Sequence, residues 1–181
     1  IKEIIIPQHV TEIEDSAFYC CINLQNVKFA ENSELLSIGK SAFYKTSIET
    51  ITIPPHVKKI KISAFFGCLK LRNIIFSNNS ELQTIGRYAF ASQKTFDLEK
   101  TEESNLIETI KIPSTVTKIK DSAFCGCKNL KEIDIDINSN LRFIGYNAFS
   151  SSLIETLTIS SKVKYLNGKC FYELNKLYQI I

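Results

Sequence analysis

Seven times in 181 residues a small side chain is followed by Phe at the same point of a repeating pattern. The pairs are Ala17-Phe18, Ala42-Phe43, Ala64-Phe65, Ala89-Phe90, Ala123-Phe124, Ala148-Phe149 and Cys170-Phe171, with Phe-to-Phe steps of 25, 22, 25, 34, 25 and 22 residues. Units of this length cannot bury an apolar face alone, so a period in this range predicts a solenoid whose turns stack on one another. A solenoid has no natural size, and the usual conversion of length into domain number does not apply to it.

Alignment on the Phe column separates two alternating unit types. A short unit runs Ile48-Glu49-Thr50-Ile51-Thr52-Ile53-Pro54, then Val57-x-x-Ile60, then Ala64-Phe65; it returns from Ile107 to Phe124 and from Ile154 to Phe171, and in part from Ile1 to Phe18. A long unit runs from Leu24 to Phe43 and returns from Leu71 to Phe90 and from Leu130 to Phe149. One of each makes a super-repeat of 47 residues, since 25 and 22 sum to 47. Each unit carries an apolar-x-apolar triplet such as Ile51/Ile53 or Val27/Phe29. Alternation of this kind, rich in β-branched residues, reads as a short strand with one face buried. One strand per turn, all in the same direction, predicts one parallel sheet of about eight rungs spaced about 4.8 Å apart. Pro7, Pro54 and Pro113 follow the triplet in short units, where a residue without an N–H closes a strand.

Two polar columns read as turns. Asn32-Ser33, Asn79-Ser80 and Asn138-Ser139 follow the strand of the long units, and the Asn amide is expected to satisfy backbone groups there. Gly39, Gly86 and Gly145 are expected to mark a second turn with positive φ. The Phe column is expected to fill the interior as stacked rings. The single long step, 34 against 22, is an insertion of 12 residues at Gln93 to Ser104. The register resumes after it, so 1–181 is expected to be one array with 93–104 extruded as a loop. The chain starts inside a unit and stops where the next triplet begins, as expected of a fragment of a longer array with uncapped ends.

The pattern Leu-x-x-Ile-x-Ile-Pro-x-x-Val-x-x-Ile-x-x-x-Ala-Phe-x-x-Cys resembles the leucine-rich repeats of the BspA-like, treponemal-type family. The fullest matches are Ile107 to Cys127 and Ile48 to Cys68. Thr46, Gln93 and Ser152 stand where the family pattern has Cys, and the strict long-short alternation is a further departure. The resemblance implies a curved right-handed leucine-rich repeat solenoid, placed in the α/β horseshoe class but mostly β. It also implies display on a cell surface or secretion, adhesion, and binding to host or extracellular-matrix proteins.

The six Cys do not read as disulfides. Cys21, Cys68 and Cys127 share one column on alternate rungs, about 9.6 Å apart, beyond the roughly 7 Å that bridged Cα atoms span. The neighbours Cys20/Cys21 and Cys125/Cys127 are too close in sequence, and Cys170 takes the small slot before Phe171 as a buried Ala surrogate. Six free thiols are expected, with Cys21, Cys68 and Cys127 buried in line. His9 and His56 lie at equivalent turns, far from the Cys column. No metal site, cofactor site or catalytic residue is expected from this distribution, and the chain does not read as an enzyme.

Lys58, Lys59, Lys61, Lys118, Lys120, Lys162 and Lys164 gather on one flank of the short units, as a solvated edge or a ladder for anionic glycans or headgroups. A net charge of +3 is too small to point to nucleic acid. No apolar run of transmembrane length appears, so no membrane insertion of this segment is expected. The leading reading is a non-enzymatic module that binds protein partners across its strands. The candidate residues are Thr50, Thr52, Thr109, Lys111, Thr156 and Thr158, with Phe96 and Leu98 of the insertion. The alternative is an intracellular or structural scaffold that self-associates through uncapped ends.

Overall fold

A computed structural model describes residues 1–92, 103–177, 179 and 180, and in it the chain winds as a β-solenoid with no helix among those residues. The apolar triplets form one strand each: β1 (Glu3–Ile6), β3 (Asn26–Phe29), β5 (Thr50–Ile53), β7 (Asn73–Phe76), β9 (Thr109–Ile112), β11 (Glu132–Ile135), β13 (Thr156–Leu157) and β15 (Gln179–Ile180). Seven turns are complete, and β15 opens the next. All pairings are parallel. The strands end at the residue before Pro7, Pro54 and Pro113, as the missing N–H requires.

Each turn also carries a second strand of two residues, which strand periodicity is too short to reveal. These are β2 (Glu12–Ile13), β4 (Ser37–Ile38), β6 (Lys59–Ile60), β8 (Thr84–Ile85), β10 (Lys118–Ile119), β12 (Phe143–Ile144) and β14 (Tyr165–Leu166). They pair into one unbroken seven-stranded ladder. The expectation of one strand per rung therefore omits half of the strand architecture. The inward residues of this ladder, from Ile13 to Ile144, are buried; the last, Leu166, is exposed.

The first ladder thins or breaks at the same phase of the 47-residue period each time. A short rung and the long rung after it share four paired positions in the first three couplets, as in Thr50↔Asn73 through Ile53↔Phe76, and two at β13–β15. From a long rung to the next short one, β3 and β5 share the single pair Asn26↔Thr50, and β7–β9 and β11–β13 form no ladder. The cause lies in the connection. From the strand centre to the second ladder takes 11 positions in a long unit (Val27 to Ile38) and 9 in a short one (Ile51 to Ile60). The longer path bows out and bonds backward, with Glu34 N donating to the Gln8 carbonyl (2.9 Å) and Glu81 N to the Pro55 carbonyl (2.8 Å). The following short rung takes the shorter path and meets the long turn largely through side chains, with the Thr115 hydroxyl donating to the Ser80 carbonyl and the Ser160 hydroxyl to the Ser139 carbonyl.

Opposite the strands, the Phe rings stack from Phe18 to Phe171 at centroid spacings of 5.1 to 6.5 Å. The five inner rings are fully buried, while Phe18 and Phe171, at the two ends, are half-buried. A third set of rung-to-rung bonds runs past them: Ser41, Phe43 and Lys45 N–H groups donate to the carbonyls of Ile62, Ala64 and Phe66 at 2.7–2.9 Å. Ser41 and Lys45 take left-handed backbone (φ 55 and 54) to do so, and equivalent residues of other rungs do likewise. Such a conformation costs about 1–3 kcal/mol for a non-glycine residue and persists only where its surroundings impose it, as these bonds do.

Two turn assignments are corrected. Gly39, Gly86 and Gly145 are not in the positive-φ region. Each lies against the backbone of the preceding rung, and a β-carbon at Gly86 would fall 2.6 Å from the Ile60 carbonyl oxygen. Close approach, not φ, demands glycine there. The long turns are tied by Ser, not Asn: the buried Ser33 and Ser80 hydroxyls accept from Leu35 and Leu82 N–H (3.4 and 3.3 Å), while Asn32, Asn79 and Asn138 are exposed. A short hydroxyl reaches a backbone N–H two residues on without leaving the core.

Candidate interaction surface

The inward residues of the first ladder enter the core, so pleating sends Thr50, Thr52, Thr109, Lys111 and Thr156 outward, and all five are exposed. Thr158 lies just past β13 and is half-buried. Phe96 and Leu98 lie outside the described residues. The Thr residues sit on alternate rungs, so register interleaves them with the long units: Asn73 follows Thr50, and its amide donates to the Thr50 hydroxyl at 3.3 Å. Lys111 faces Asp134 at 3.1 Å, and Lys28 faces Glu3 at 3.2 Å. Exposed pairs of this kind contribute at most about 1 kcal/mol, so they organise the surface more than they stabilise it.

Two isoleucines break this polar face, Ile5 at 62% exposure and Ile75 at 49%. Ile75 lies at the lip of a cleft of about 830 Å³, where β7 and β9 fail to pair. Its walls include Phe76, Asn79, Pro113 and the Lys111–Asp134 pair. The cleft is a consequence of the divided ladder. The Thr115 hydroxyl donates to the Ser80 carbonyl across it (3.0 Å). Sequence reading named Lys111 but missed the cleft, because its cause is the mismatch between two turn lengths and not any residue type.

The reactive side chains are spent elsewhere. His9 Nδ1 lies 3.0 Å from Glu34, and His56 Nδ1 lies 2.8 Å from Glu81, each pair exposed and one rung apart. The His56 hydrogen bond holds the Glu81 carboxyl below its usual range. All six Cys are free thiols, as expected. Cys68 and Cys127 are buried in line, but Cys21, near the first turn, is half-buried and Cys20 is exposed. Burial pushes the Cys68 thiol up to about 11 and the Cys127 thiol up to about 12, so neither is a thiolate at neutral pH. Cys68 Sγ lies 3.1 Å from the Phe43 carbonyl, which Thr46 also reaches at 3.1 Å. This column caps carbonyls of the Phe turn. After the insertion the same task falls to Asn105, whose buried amide donates to the Phe90 carbonyl at 2.9 Å. Ser104, assigned to the insertion by alignment, already bonds the Gly126 carbonyl of the next rung at 3.0 Å. Among the described residues no cluster of three or more His, Cys, Asp or Glu fits a metal ion, and no helix is long and apolar enough to cross a membrane.

The sequence profile of the BspA type leucine-rich repeat region matches residues 1–107 and 94–181, with six copies of the repeat. No curated protein sequence matches the chain significantly. Among solved structures, it is similar to a leucine-rich repeat protein from Bacteroides ovatus, with 23% identity and a TM-score of 0.65. That match covers 90% of this chain and 44% of the other, so the chain spans less than half of that protein. It is also similar to the T. pallidum leucine-rich repeat protein, with 24% identity, a TM-score of 0.58, and coverage of 83% and 76% of the two chains. At such identities the likeness establishes the fold.

Proposed function

The chain belongs to the BspA-type leucine-rich repeat family, and from that premise we propose that it is a non-enzymatic protein-binding module displayed at a cell surface. Its partners are host or matrix proteins, held across the outer face of the first ladder. The observation that carries this reading is the cleft at Ile75. A partner needs a desolvated apolar anchor inside a polar rim, and Ile75 with Phe76, between the Thr positions and the Lys111–Asp134 pair, offers that arrangement. Thr50, Thr52 and Thr109 would line the rim. A regular array offers such a surface without any enclosed pocket. Family resemblance supports the cell-surface placement.

Binding of the intact chain to a panel of immobilised extracellular-matrix proteins tests this. At least one should bind, and Ile75→Glu should weaken it by about tenfold or more, the effect of losing an interface anchor. Lys59→Gln, on the other ladder, should not. Binding indifferent to Ile75→Glu, or self-association with no matrix protein bound, would overturn the reading.

A further inference from the structure

The second ladder has a different outer surface, which the protein-binding face does not use. Its register places Lys59, Thr84, Lys118, Phe143 and Tyr165 side by side on successive rungs. Beside this row, Gly86 falls between Lys61 and Lys120, where close packing on the Ile60 carbonyl forbids a side chain. A hollow of about 400 Å³ lies here, lined by Ile62, Arg87, Lys118, Lys120, Asp121 and Phe143.

The charges in and beside this hollow are unevenly committed. Glu12 is taken by Lys61, whose hydrogen bond holds the carboxyl below its usual range. Asp121 accepts the Tyr146 N–H at 2.9 Å and thereby serves the backbone. Among the described residues Lys59, Arg87, Lys118 and Lys120 form no ion pair with a carboxylate, and the Arg87 guanidinium stacks 5.0 Å from the Tyr88 ring centre. Lys59 and Lys118 stand on alternate rungs, about 9.6 Å apart along the ladder, and Arg87 follows the strand of the rung between them. Between and beside them stand apolar surfaces, Ile62 at 45% exposure, the half-buried Phe143 and the exposed Tyr165.

We propose that this flank binds a linear sulfated polysaccharide, with Lys59, Arg87, Lys118 and Lys120 holding its anionic groups and Phe143 and Ile62 packing against its sugar rings. The occupant follows from the combination. Cations on three successive rungs suit a polymer whose anions recur along an extended chain, and the apolar floor suits the C–H faces of pyranose rings. A duplex nucleic acid would call for a larger uniform basic face than a net charge of +3 provides. A bilayer would be met by protruding apolar side chains, whereas these line a hollow.

The test uses the intact chain with size-defined heparin oligosaccharides, chemically desulfated heparin, anionic phospholipid vesicles and duplex DNA as probes, at physiological salt. Heparin should bind and the desulfated form should not. The double variant Lys118→Gln/Lys120→Gln should lose roughly tenfold or more in affinity with a shallower salt dependence, as fewer counterions are released. Phe143→Ser should weaken binding while leaving the salt slope unchanged. The control double variant Lys111→Gln/Lys131→Gln, on the first ladder, should bind like the parent, and so should Ile75→Glu. Equal losses in the control would mean non-specific attraction and overturn the proposal. So would absence of heparin binding, or stronger binding to vesicles or DNA.

Discussion

The two strand ladders are wound from the same turns of chain, yet one runs unbroken through seven rungs and the other thins to a single pair at its first long-to-short step and breaks at the next two. The difference is a matter of spacing. From the inward residue of the second ladder to the Phe is five positions in every unit, from Ile13–Phe18 to Leu166–Phe171. Nothing in that arc varies in length, so strand, left-handed turn and ring stack repeat without slippage. All the length differences fall on either side of the first strand: the turn leaving it, the approach to it, and the 12-residue insertion. A coil can thus keep one side in strict register and shed variation to the other. The side that absorbs variation is the one that opens into a cleft.

Substitutions can break this comparison. On the constant side, Phe65→Ala removes a fully buried ring stacked at 5.2 Å on both neighbours, and should cost about 3–5 kcal/mol in denaturant melts. Phe171→Ala should cost visibly less, because that ring is half-buried and has one ring neighbour at 6.5 Å among the described residues. Equal losses would mean that the ring stack does not carry the register.

Gly86→Ala tests the backbone contact of the unbroken ladder. Its β-carbon would meet carbonyl and backbone atoms of the preceding rung, so a loss of about 1–3 kcal/mol is expected. Gly168→Ala meets nothing within 4 Å and should be near neutral, as should Lys111→Ala on the divided ladder, where an exposed ion pair contributes less than about 1 kcal/mol. A neutral Gly86→Ala would remove close packing as the reason for glycine at this column of the unbroken ladder.

The buried thiols give the gentlest test. An unfolded Cys ionises near pH 8.5. Cys68 stays protonated in the fold up to about 11 and Cys127 up to about 12. The unfolded state therefore binds fewer protons across that window, and stability falls as pH rises, by about 1.4 kcal/mol per pH unit for each thiol. Melts of Cys68→Ala and Cys127→Ala from pH 8 to 11 should show a shallower alkaline slope than the parent, whatever their loss at pH 7. An unchanged slope would place these thiols in contact with solvent.

Much of this coil is legible in the sequence, because the positions that face the core admit few residue types and recur in phase. The triplet strands, the Phe stack, the Pro stops and the free thiols all follow from that restriction. The second ladder was within reach of the same logic through the column Ile13, Ile38, Ile60, Ile85, but two-residue strands leave no alternation to detect. The polar turns misled for a different reason. Asn32 and Ser33 both suit a turn, and chain length decides which one can stay inside. Gly86 is compatible with unusual φ or with close approach, and only the neighbouring rung distinguishes them. The cleft lies further still from sequence, since it arises from the difference between two adjacent units. The outward Thr positions were legible as exposed; whether a partner touches them depends on chemistry outside the chain.

The backward bonds of the long turns bear on how such a protein changes size. Glu34 reaches the Gln8 carbonyl and Asn140 reaches the Ser114 carbonyl, so each long turn is bonded to the short turn before it, while at the step to the one after it the first ladder is thin or absent. On the side of the first ladder the seam between couplets is already loose. A gene duplication or deletion that moves 47 codons therefore adds or removes a closed couplet and rejoins the array at a seam. Loss of a single rung would instead set two long turns, or two short ones, against each other, and strand donors that had found their acceptors. Copy number in this lineage of coils should accordingly drift in even steps, with loop cassettes and surface charges free to diverge between couplets.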